Sequence, residues 1–388
     1  MFSMKPIGIL GGGQLARMLV LEAHRLNLPV AVLSPLETDP ARTVTGTWVQ
    51  GDPLKLKDLT SFMKLCSSVT FESEFFDADL ISKATKESKT PVWPDPKVMG
   101  QLQDRLTQKN LLDEYDIPTA PWRPVDSSQD AVVAYVALDG KVVFKKRRGG
   151  YDGYGTFIVK NDGDLGLFAN DGVNEPFIAE KWIKFSREVA IIAVRDQAGA
   201  VFFYPFVESH QKDARCLFVK GPLRETRAFI EMKQKIAKFL NGIGYVGAMG
   251  IEMFETPKGL IVNEIAPRVH NTGHYTIDAF SLSQFALHLR AVAGLRTQGF
   301  AIPRSKAFAM WNLLGSAKSK KPTQLKPWLA KPAVGEKASN EATVHWYGKS
   351  ESRPGRKMGH VNAQAQTPDS ALKLAKAVAA QTAKDIGY

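Results

Sequence analysis

Two glutamates stand at opposed positions of a predicted β-hairpin. Residues 250–254 (GIEMF) and 260–265 (LIVNEI) are apolar and β-branched enough to form strands, and residues 256–259 (TPKG) carry turn chemistry. A three-residue loop that ends on the glycine places Glu252 opposite Glu264. The same register pairs Thr256 with Leu260 and Phe254 with Val262. Opposed residues have Cβ atoms roughly 4.5–5.5 Å apart, so two carboxylates repel there unless a cation lies between them.

Magnesium suits this pair of carboxylates because it takes hard oxygen ligands and usually shares them with phosphates; manganese is the alternative. Further oxygen donors and positive or proton-transferring groups follow nearby, at Asn263, Arg268, His270, Asn271 and His274. Two acids on a hairpin also fit a solvated strand face. The apolar flanks, however, indicate a buried strand pair, and buried carboxylates need a partner. We therefore predict a metal site at Glu252 and Glu264.

The composition bounds the class of protein. The chain has 388 residues and 44% hydrophobic content, enough for two or three domains with their own cores. A net charge of +12 fits nucleic acid, a membrane surface or acidic small molecules as partners. Lysine and arginine are dispersed, however, and no basic stretch is interleaved with aromatic residues as in a nucleic-acid groove. We therefore expect no nucleic-acid partner.

Cysteine usage and hydropathy indicate a cytoplasmic protein. Cys66 and Cys216 lie far apart in the sequence and form no metal-type spacing, which fits a reduced protein with two thiols. The opening MFSMKPIGILGGG runs into a strand without a signal-peptide pattern. No apolar run approaches the roughly 18 residues of a transmembrane helix, so we expect no membrane span.

A βαβ unit opens the chain. Residues 6–10 predict a buried strand, the turn 11–16 reads GGGQLA, a helix follows, and a second strand ends at residues 32–34. The GxGxxA turn is typical of dinucleotide folds, but the second strand lacks the acidic residue that would bind a ribose. The turn fits a phosphate at a helix N-terminus, and it fits equally a tight strand-to-helix connection.

Two more acids follow the strand predicted at residues 68–76. Glu72 and Glu74 lie near its carboxyl end, where open α/β sheets bind ligands, although either also fits a solvated loop. Prolines at 91, 94 and 96 mark a domain boundary near residue 97.

A glycine-rich hairpin dominates the middle of the chain. A helix starts at Asp104 and stops before residue 117, and strands are predicted at 142–145 and 156–159. The loop between these strands, residues 147–155, has four glycines whose neighbouring amides could close over phosphates. It is not a Walker A loop, because no helix follows and GK[ST] is absent. The alternative is a glycine-rich surface hairpin that binds no ligand.

The rest of the chain alternates further strands and helices. Strands are predicted at 177–183, 187–195, around 309–312 and around 344–347, with helices at 229–240, 281–292 and from 370 onward. Glu188 stands at the start of one strand. In the helix 281–292, His288 is interpreted as a packed histidine rather than a ligand.

Several motifs together resemble one family. GGGQLARM, DRLTQK, IPTAPW, FKKRRGGYDGYG, GYVGAMGIEMF, VNEIAPRVHNTGH, QFALHLRA and RPGRKMGH occur in the order seen in N5-carboxyaminoimidazole ribonucleotide synthetases. The resemblance spans residues 5 to about 365. It implies an α/β chain with α+β elements and an ATP-grasp fold. The implied domains are a Rossmann-like pre-ATP-grasp domain at 1–103, an ATP-grasp domain at 104–300 with a lid subdomain at about 121–183, and a small C-terminal domain at 301–388.

The resemblance also implies an activity. ATP, bicarbonate and 5-aminoimidazole ribonucleotide would give N5-carboxyaminoimidazole ribonucleotide, ADP and phosphate in purine biosynthesis. Members are typically dimeric, magnesium-dependent and cytoplasmic. Two rivals remain: an ATP-grasp ligase for another substrate, such as a formate-using purine transformylase, and a nucleotide-binding protein that is not an enzyme. The proton acceptor stays open between His274 and the departing phosphate.

Site residues are implied position by position. Those on the ATP side are Arg105, Lys145, Gly150, Tyr151, Asp152, Gly153, Tyr154, Gly155, Thr156, Glu180, Lys181, Trp182, Ile183, Glu188, His210, Asn263 and Glu264. Those at the bicarbonate end are Arg268 and Asn271, with Lys145 also catalytic; Glu252 and Glu264 resemble the metal ligands. Those that hold the ribonucleotide are Gln14, Lys349 and Arg356.

The chain departs from the family pattern in the lid and in the opening turn. Where the lid usually reads GYDGRGQ, Tyr154 replaces a cation and Thr156 replaces an amide. Ala16 stands where the opening turn usually has glycine.

Overall fold

The N-terminal part folds as a small parallel sheet with helices packed on it, as the βαβ pattern predicts. The computed structural model describes residues 5–150, 153–170, 173–315, 333–334 and 341–385. The strands are β1 (Ile7–Leu10), β2 (Val30–Ser34), β3 (Trp48–Gln50) and β4 (Ser68–Phe71), in the order β3-β2-β1-β4. The helices are α1 (Gln14–Arg25), α2 (Leu56–Met63) and α3 (Ala78–Ser88).

Strand β4 is shorter than the predicted strand 68–76. It ends at Phe71, and the Phe75 amide then donates to Ser73 Oγ at 3.2 Å, which closes a turn. Asp77 caps α3 by accepting from two amides of its first turn. The strand thus ends before both glutamates, and polar side chains that bond to nearby backbone hold the turn that follows it.

Two helices lead from the first sheet into a second one. They are α4 (Pro96–Gln103) and α5 (Arg105–Glu114), capped by Asp95 and Asp104. The second sheet is antiparallel, with β5 (Trp122–Val125), β6 (Val142–Lys146), β7 (Thr156–Val159) and β8 (Phe177–Lys181) in the order β5-β8-β6-β7. It carries α6 (Ser128–Ala137) and α7 (Asp162–Asn170). The predicted strand 177–183 is two residues too long, because β8 ends at Lys181.

A ten-stranded sheet joins the middle of the chain to its C-terminal part. Its strands are β9 (Arg187–Arg195), β10 (Val201–Phe203), β11 (Val207–Lys212), β12 (Arg215–Gly221), β13 (Gly247–Thr256), β14 (Gly259–Ala266), β15 (Ala307–Leu314), β16 (Ala333–Val334), β17 (Glu341–Trp346) and β18 (Lys357–Ala365). Their order is β14-β13-β9-β11-β12-β15-β18-β17-β16, with β10 beside β9. The C-terminal strands therefore continue the central sheet through the β12–β15 pair.

Helices cover this large sheet. They are α8 (Arg227–Gly242), α9 (Thr276–Ala279), α10 (Gln284–Val292) and α11 (Pro368–Asp385), with one 3-10 turn at Asn271–Gly273. In α10, His288 is buried: its Nδ1 accepts from the Ala248 amide at 3.0 Å and its Nε2 lies 2.8 Å from Thr70 Oγ1. Burial lowers its pKa to about 4, so it is the packed, neutral histidine that the sequence predicts. No helix in the described ranges is long and apolar enough to cross a membrane.

The hairpin of β13 and β14 brings Glu252 opposite Glu264, as predicted, but by another route. The other two predicted pairs are wrong: Thr256 faces Gly259 and Phe254 faces Ile261. The loop has only two residues, which shifts the register by one. A β-bulge at Asn263 then shifts it back, because Asn263 and Glu264 together oppose Glu252.

Candidate active site

The two opposed glutamates have different neighbours, an arginine at Glu264 and a histidine at Glu252. Glu264 Oε1 accepts from Arg105 Nη2 at 3.1 Å, and Glu252 Oε1 lies 4.0 Å from His270 Nδ1. Burial opposes ionisation of Glu264, but the charges of Arg105 and Lys145 outweigh it and hold its pKa below the usual value. Glu264 thus stays available as an anion, and Arg105 relieves part of the repulsion between the two carboxylates.

This pair fits magnesium by its donor chemistry. The described residues include no group of three or more His, Cys, Asp or Glu side chains that could enclose a metal. Magnesium usually needs one or two carboxylates and takes its remaining oxygens from water and phosphates. Two facing glutamates with Arg105 and Lys145 close by meet that requirement.

A buried triad of Lys109, Glu180 and Lys145 lies next to the carboxylate pair. Glu180 is 5% exposed, and its two oxygens lie 2.6 Å from Lys109 Nζ and 2.6 Å from Lys145 Nζ. Although burial opposes ionisation, the two lysines lower the Glu180 pKa to about 2. Burial lowers the pKa of Lys109 despite this partner. One carboxylate shared by two ammonium groups leaves an excess positive charge that suits a phosphate.

The bulge residue Asn263 connects this triad to the hairpin. Its Oδ1 accepts from Lys145 Nζ at 2.9 Å. Because the bulge adds one residue to β14, Asn263 is brought to Lys145 without displacing Glu264 from Glu252. Asn263 therefore holds the lysine that the resemblance assigns to phosphate.

Arg268 forms a forked ion pair with one of the two loop acids. Its Nη2 lies 2.7 Å from Glu74 Oε1, and its Nε contacts the other oxygen of the same carboxylate. A cavity of about 900 Å³ adjoins this pair, and Glu74, Gln103, Thr107, Arg148 and Gly149 are among its lining residues. Arg268 thus connects the central sheet to the N-terminal domain at the edge of a cleft.

Glu72 takes the position that a phosphate would have on the glycine turn. It accepts hydrogen bonds from the amides of Gly13, at 2.5 Å, and Ala16, at 3.0 Å. Burial raises its pKa. The structure therefore favours the connecting role of the turn over the phosphate role, since a protein carboxylate already occupies the helix N-terminus. Gln14, half-buried, is the first residue of α1.

The loop after β14 is tied to the C-terminal part. The side-chain amides of Asn271 and Asn312 bond to each other at 3.0 and 2.7 Å. His274 is fully buried, and burial and the nearby Lys357 hold its pKa well below the usual value. Burial and the charge of Arg268 do the same to His270. Both imidazoles are therefore neutral.

Residues 180–183, which the resemblance places on the ATP side, lead from the end of β8 toward β9. The Lys181 and Trp182 amides donate to Pro121 O and Lys141 O at 2.8 and 2.9 Å, and the Lys181 side chain pairs with Asp139. Trp182 is 38% exposed, and half-buried Ile183 follows it. The segment is thus an anchored surface connection between two sheets.

Glu188 and His210 lie on neighbouring strands. Glu188 pairs with Ser209, directly before His210. Burial raises the Glu188 pKa to about 7, although a hydrogen bond from Gln211 opposes the effect. His210 is exposed and stacks on Phe218, with ring centroids 5.0 Å apart. The structure thus brings the two residues near each other on β9 and β11.

The predicted lid connects β6 to β7. Gly153 and Gly155 have φ angles of 81° and 75°, the left-handed region that glycine tolerates. Tyr154 is 62% exposed, with Lys146 Nζ 5.2 Å from its ring centroid. Gly150 faces Arg105, since a Cβ there would lie 3.6 Å from Nη2, and Thr156 pairs with Lys145. Tyr151 and Asp152 lie outside the described residues.

Lys349 and Arg356 lie on one loop of the C-terminal part. Lys349 Nζ donates to Lys357 O at 2.6 Å, and Arg356 Nη1 donates to Glu351 O at 2.8 Å. Both cations therefore hold their own loop, residues 349–356, which we call the basic loop.

Sequence reasoning missed Lys109 and Asn312. Lys109 lies four residues after Arg105 on α5, and this spacing places both on one helix face, so the signal was present. Asn312 is an amide in an apolar strand, with no local signal for its partner.

Comparison with known proteins gives a consistent result. Three family models match: the ribonucleotide synthetase preATP-grasp domain at residues 4–103, the ATP-grasp domain at 110–285, and the phosphoribosylaminoimidazole carboxylase C-terminal domain at 309–374. The N5-carboxyaminoimidazole ribonucleotide synthase of Synechococcus elongatus is 35% identical over 357 residues, which is 92% of this chain and 88% of that protein. The synthase of Brucella melitensis is 37% identical over 370 residues, 92% of this chain and 97% of that protein.

Solved structures agree with these relatives. A carboxyaminoimidazole ribonucleotide synthase from Aspergillus clavatus, complexed with ATP, has a TM-score of 0.85 at 30% identity and covers 100% of both chains. Another structure from that organism, with ADP and 5-aminoimidazole ribonucleotide, has a TM-score of 0.84 at 29% identity and covers 98% of this chain and 100% of that one. The predicted ATP-grasp fold is confirmed, and the chain belongs to the N5-carboxyaminoimidazole ribonucleotide synthase family of ATP-grasp ligases.

Proposed function

We propose that this chain carboxylates 5-aminoimidazole ribonucleotide with bicarbonate, driven by ATP, to give N5-carboxyaminoimidazole ribonucleotide, ADP and phosphate in purine biosynthesis. The observation that carries this proposal is the Glu252–Glu264 pair, with Arg105 bonded to it at 3.1 Å. The relative solved with ADP and 5-aminoimidazole ribonucleotide supports the choice of substrate.

ATP binds between the lid and the central sheet in this proposal. Lys145 and Arg105 contact its phosphates, the lid residues 150–156 cover them, and the segment from Glu180 to Ile183 lies along the adenine. Glu188 accepts from the ribose, with His210 beside it. Glu180 acts through the two lysines that it holds at 2.6 Å, so it positions Lys145.

Glu252 and Glu264 would hold magnesium, or manganese in its place. When bound, the ion would neutralise charge on the transferring phosphoryl oxygens. Arg105 donates to Glu264 and faces lid residue Gly150, so it lies between a proposed metal ligand and the lid, where we place the phosphates.

The first chemical step activates bicarbonate, which is a poor electrophile. A bicarbonate oxygen attacks the γ-phosphorus, the bond to the ADP oxygen breaks, and carboxyphosphate forms. Lys145 and Arg268 stabilise the oxygens on which negative charge gathers, and Asn271 lies at the same end. Carboxyphosphate hydrolyses readily, so the lid must exclude water until the next step.

The second step joins carbon to nitrogen. The exocyclic amine attacks carboxyphosphate, or CO2 released from it, and phosphate leaves. The amine must also lose a proton. We assign that proton to the departing phosphate rather than to His274, because His274 is fully buried.

The ribonucleotide binds by its phosphate to the basic loop. Lys349 and Arg356 supply the charges, and Gln14 faces the same substrate from α1. We also propose the domain limits 1–103, 104–300 and 301–388, with the lid subdomain at about 121–183, a homodimer and a cytoplasmic location.

A coupled assay of ADP release tests the proposal against its rivals. We expect turnover only when bicarbonate and 5-aminoimidazole ribonucleotide are both present. Turnover with formate would support a transformylase, and ATP binding without any turnover would support a non-enzymatic protein. Either result would reject the proposal.

A further inference from the structure

The basic loop is built around a tight turn. The Arg356 amide donates to Arg353 O at 3.0 Å, and Gly355 has a φ of 76°, as the third residue of a type II turn requires. The Gly355 amide donates to Gly315 O at 2.9 Å, which fixes the turn to the end of β15. The backbone that presents Arg356 is therefore held in place.

Arg215 of β12 lies directly against this turn. A Cβ on Gly355 would lie 2.6 Å from Arg215 Cζ and 2.8 Å from its Nε and Nη1. Gly355 is thus required for the close approach as well as for its φ angle. The Arg215 side chain is half-buried and forms no ion pair with any residue in the described ranges. A guanidinium that packs against the residue before Arg356, without a carboxylate partner among the described residues, adds positive charge to this turn.

The lid also contacts the β11–β12 hairpin, which carries Arg215. A Cβ on Gly153 would lie 2.5 Å from Ala214 Cβ, so the lid contacts the residue before Arg215. At the next lid position, where the family resemblance expects a cation, this chain has Tyr154. Its ring faces Lys146, outside the basic loop. The tip of the β11–β12 hairpin therefore lies between the lid and the basic loop, and it carries an arginine.

We propose that Arg215 binds the phosphate of the ribonucleotide substrate together with Arg356, and supplies from β12 the charge that the lid lacks at Tyr154. The inference rests on the proposed function, because it assigns the substrate phosphate to the basic loop. The planar guanidinium suits a phosphate with up to two negative charges because it can donate two parallel hydrogen bonds. Packing against the turn holds the Arg215 side chain in one orientation before the ligand binds. A purely structural arginine that stacks on the turn is the competing explanation.

Steady-state kinetics on Arg215→Met and Arg215→Lys separates the two explanations. Loss of one charged hydrogen bond weakens binding about tenfold to hundredfold, so Arg215→Met should raise the KM for 5-aminoimidazole ribonucleotide by that factor. The KM for ATP should stay within about twofold. Arg215→Lys keeps the charge without the fork and should lie between. Lys212→Met, an exposed cation on the same hairpin, is the matched control and should change neither constant.

A rescue experiment sharpens the test. Adding Tyr154→Arg to Arg215→Met should recover most of the lost affinity, because the lid cation would return to the same phosphate. An unchanged ribonucleotide KM in Arg215→Met, or equal losses for ATP and ribonucleotide, would overturn the inference while leaving the proposed function intact. The structural explanation predicts a different result. In that case Arg215→Met lowers the melting temperature and the affinities for both substrates together, and Arg215→Lys fully restores all three. This result would also reject the inference. Wild-type protein without ribonucleotide-dependent turnover would reject the proposed function and this inference together.

Discussion

Replacing Glu180 by glutamine should both destabilise the protein and slow its reaction. The change removes the carboxylate that lies 2.6 Å from the ammonium groups of both Lys109, which is buried, and Lys145, which is half-buried. Depression of the Glu180 pKa from 4.5 to about 2 corresponds to about 3 kcal/mol of stability at pH 7. Loss of one partner from a buried ion pair typically costs a similar amount, about 3–5 kcal/mol. The turnover number should fall because Lys145 keeps only its hydrogen bond to Asn263.

Urea unfolding of Glu180→Gln and wild type measures the loss of stability. The lowered pKa contributes stability that is fully present above about pH 4.5 and is lost as the pH falls toward 2. The difference between the two proteins should therefore be constant from pH 7 to 5 and shrink on further acidification. Lys181→Met breaks the exposed pair with Asp139 and serves as control, with an expected change under about 1 kcal/mol. A loss below about 1 kcal/mol in Glu180→Gln, with only the KM for ATP raised, would show that Glu180 serves the nucleotide alone and does not stabilise the two lysines.

Three further predictions concern the Glu252–Glu264 pair, the basic loop and Glu188. Glu264→Gln should nearly abolish ATP turnover without unfolding the protein; normal turnover at millimolar magnesium would remove the metal assignment. Arg356→Ala should raise the KM for 5-aminoimidazole ribonucleotide about tenfold to hundredfold with little effect on ATP, and an equal loss for ATP would place the substrate phosphate elsewhere. Burial raises the Glu188 pKa to about 7, so its neutral form favours folding below pH 4.5 and this advantage disappears as the pH rises through 7. Glu188→Gln should therefore raise the melting temperature at pH 8 but not at pH 4.5, and equal effects at both would contradict the burial argument.

Local patterns predicted much of the fold. The strands 156–159 and 187–195 coincide with β7 and β9, because apolar and β-branched runs bounded by polar residues leave little choice of element. The opposed position of Glu252 and Glu264 was also predictable, although the assumed loop was one residue too long. The bulge at Asn263 restores this pairing because its extra residue interrupts the alternation of side chains between the two faces of the strand. An irregularity at a single position cannot be recognised from composition.

Long-range partners could not be predicted from the sequence. Pairing of β12 with β15 joins residues almost a hundred positions apart, and nothing local selects that partner. The glycine turn shows a related limit. A helix N-terminus attracts any anion, so the sequence could not distinguish a phosphate from Glu72, which lies more than fifty residues away. Spacing can thus identify the charged groups of a site while leaving open which of them neutralise each other.

The central claim, that ATP activates bicarbonate rather than the ribonucleotide, is tested most directly by oxygen transfer. The protein is incubated with ATP, 5-aminoimidazole ribonucleotide and 18O-labelled bicarbonate, over times short enough to limit exchange with water. Attack of a bicarbonate oxygen on the γ-phosphorus predicts one 18O atom in each phosphate released, detected by the 31P isotope shift or by mass spectrometry. Phosphate that carries only unlabelled oxygen, formed at the same rate as the carboxylated product, would contradict the account.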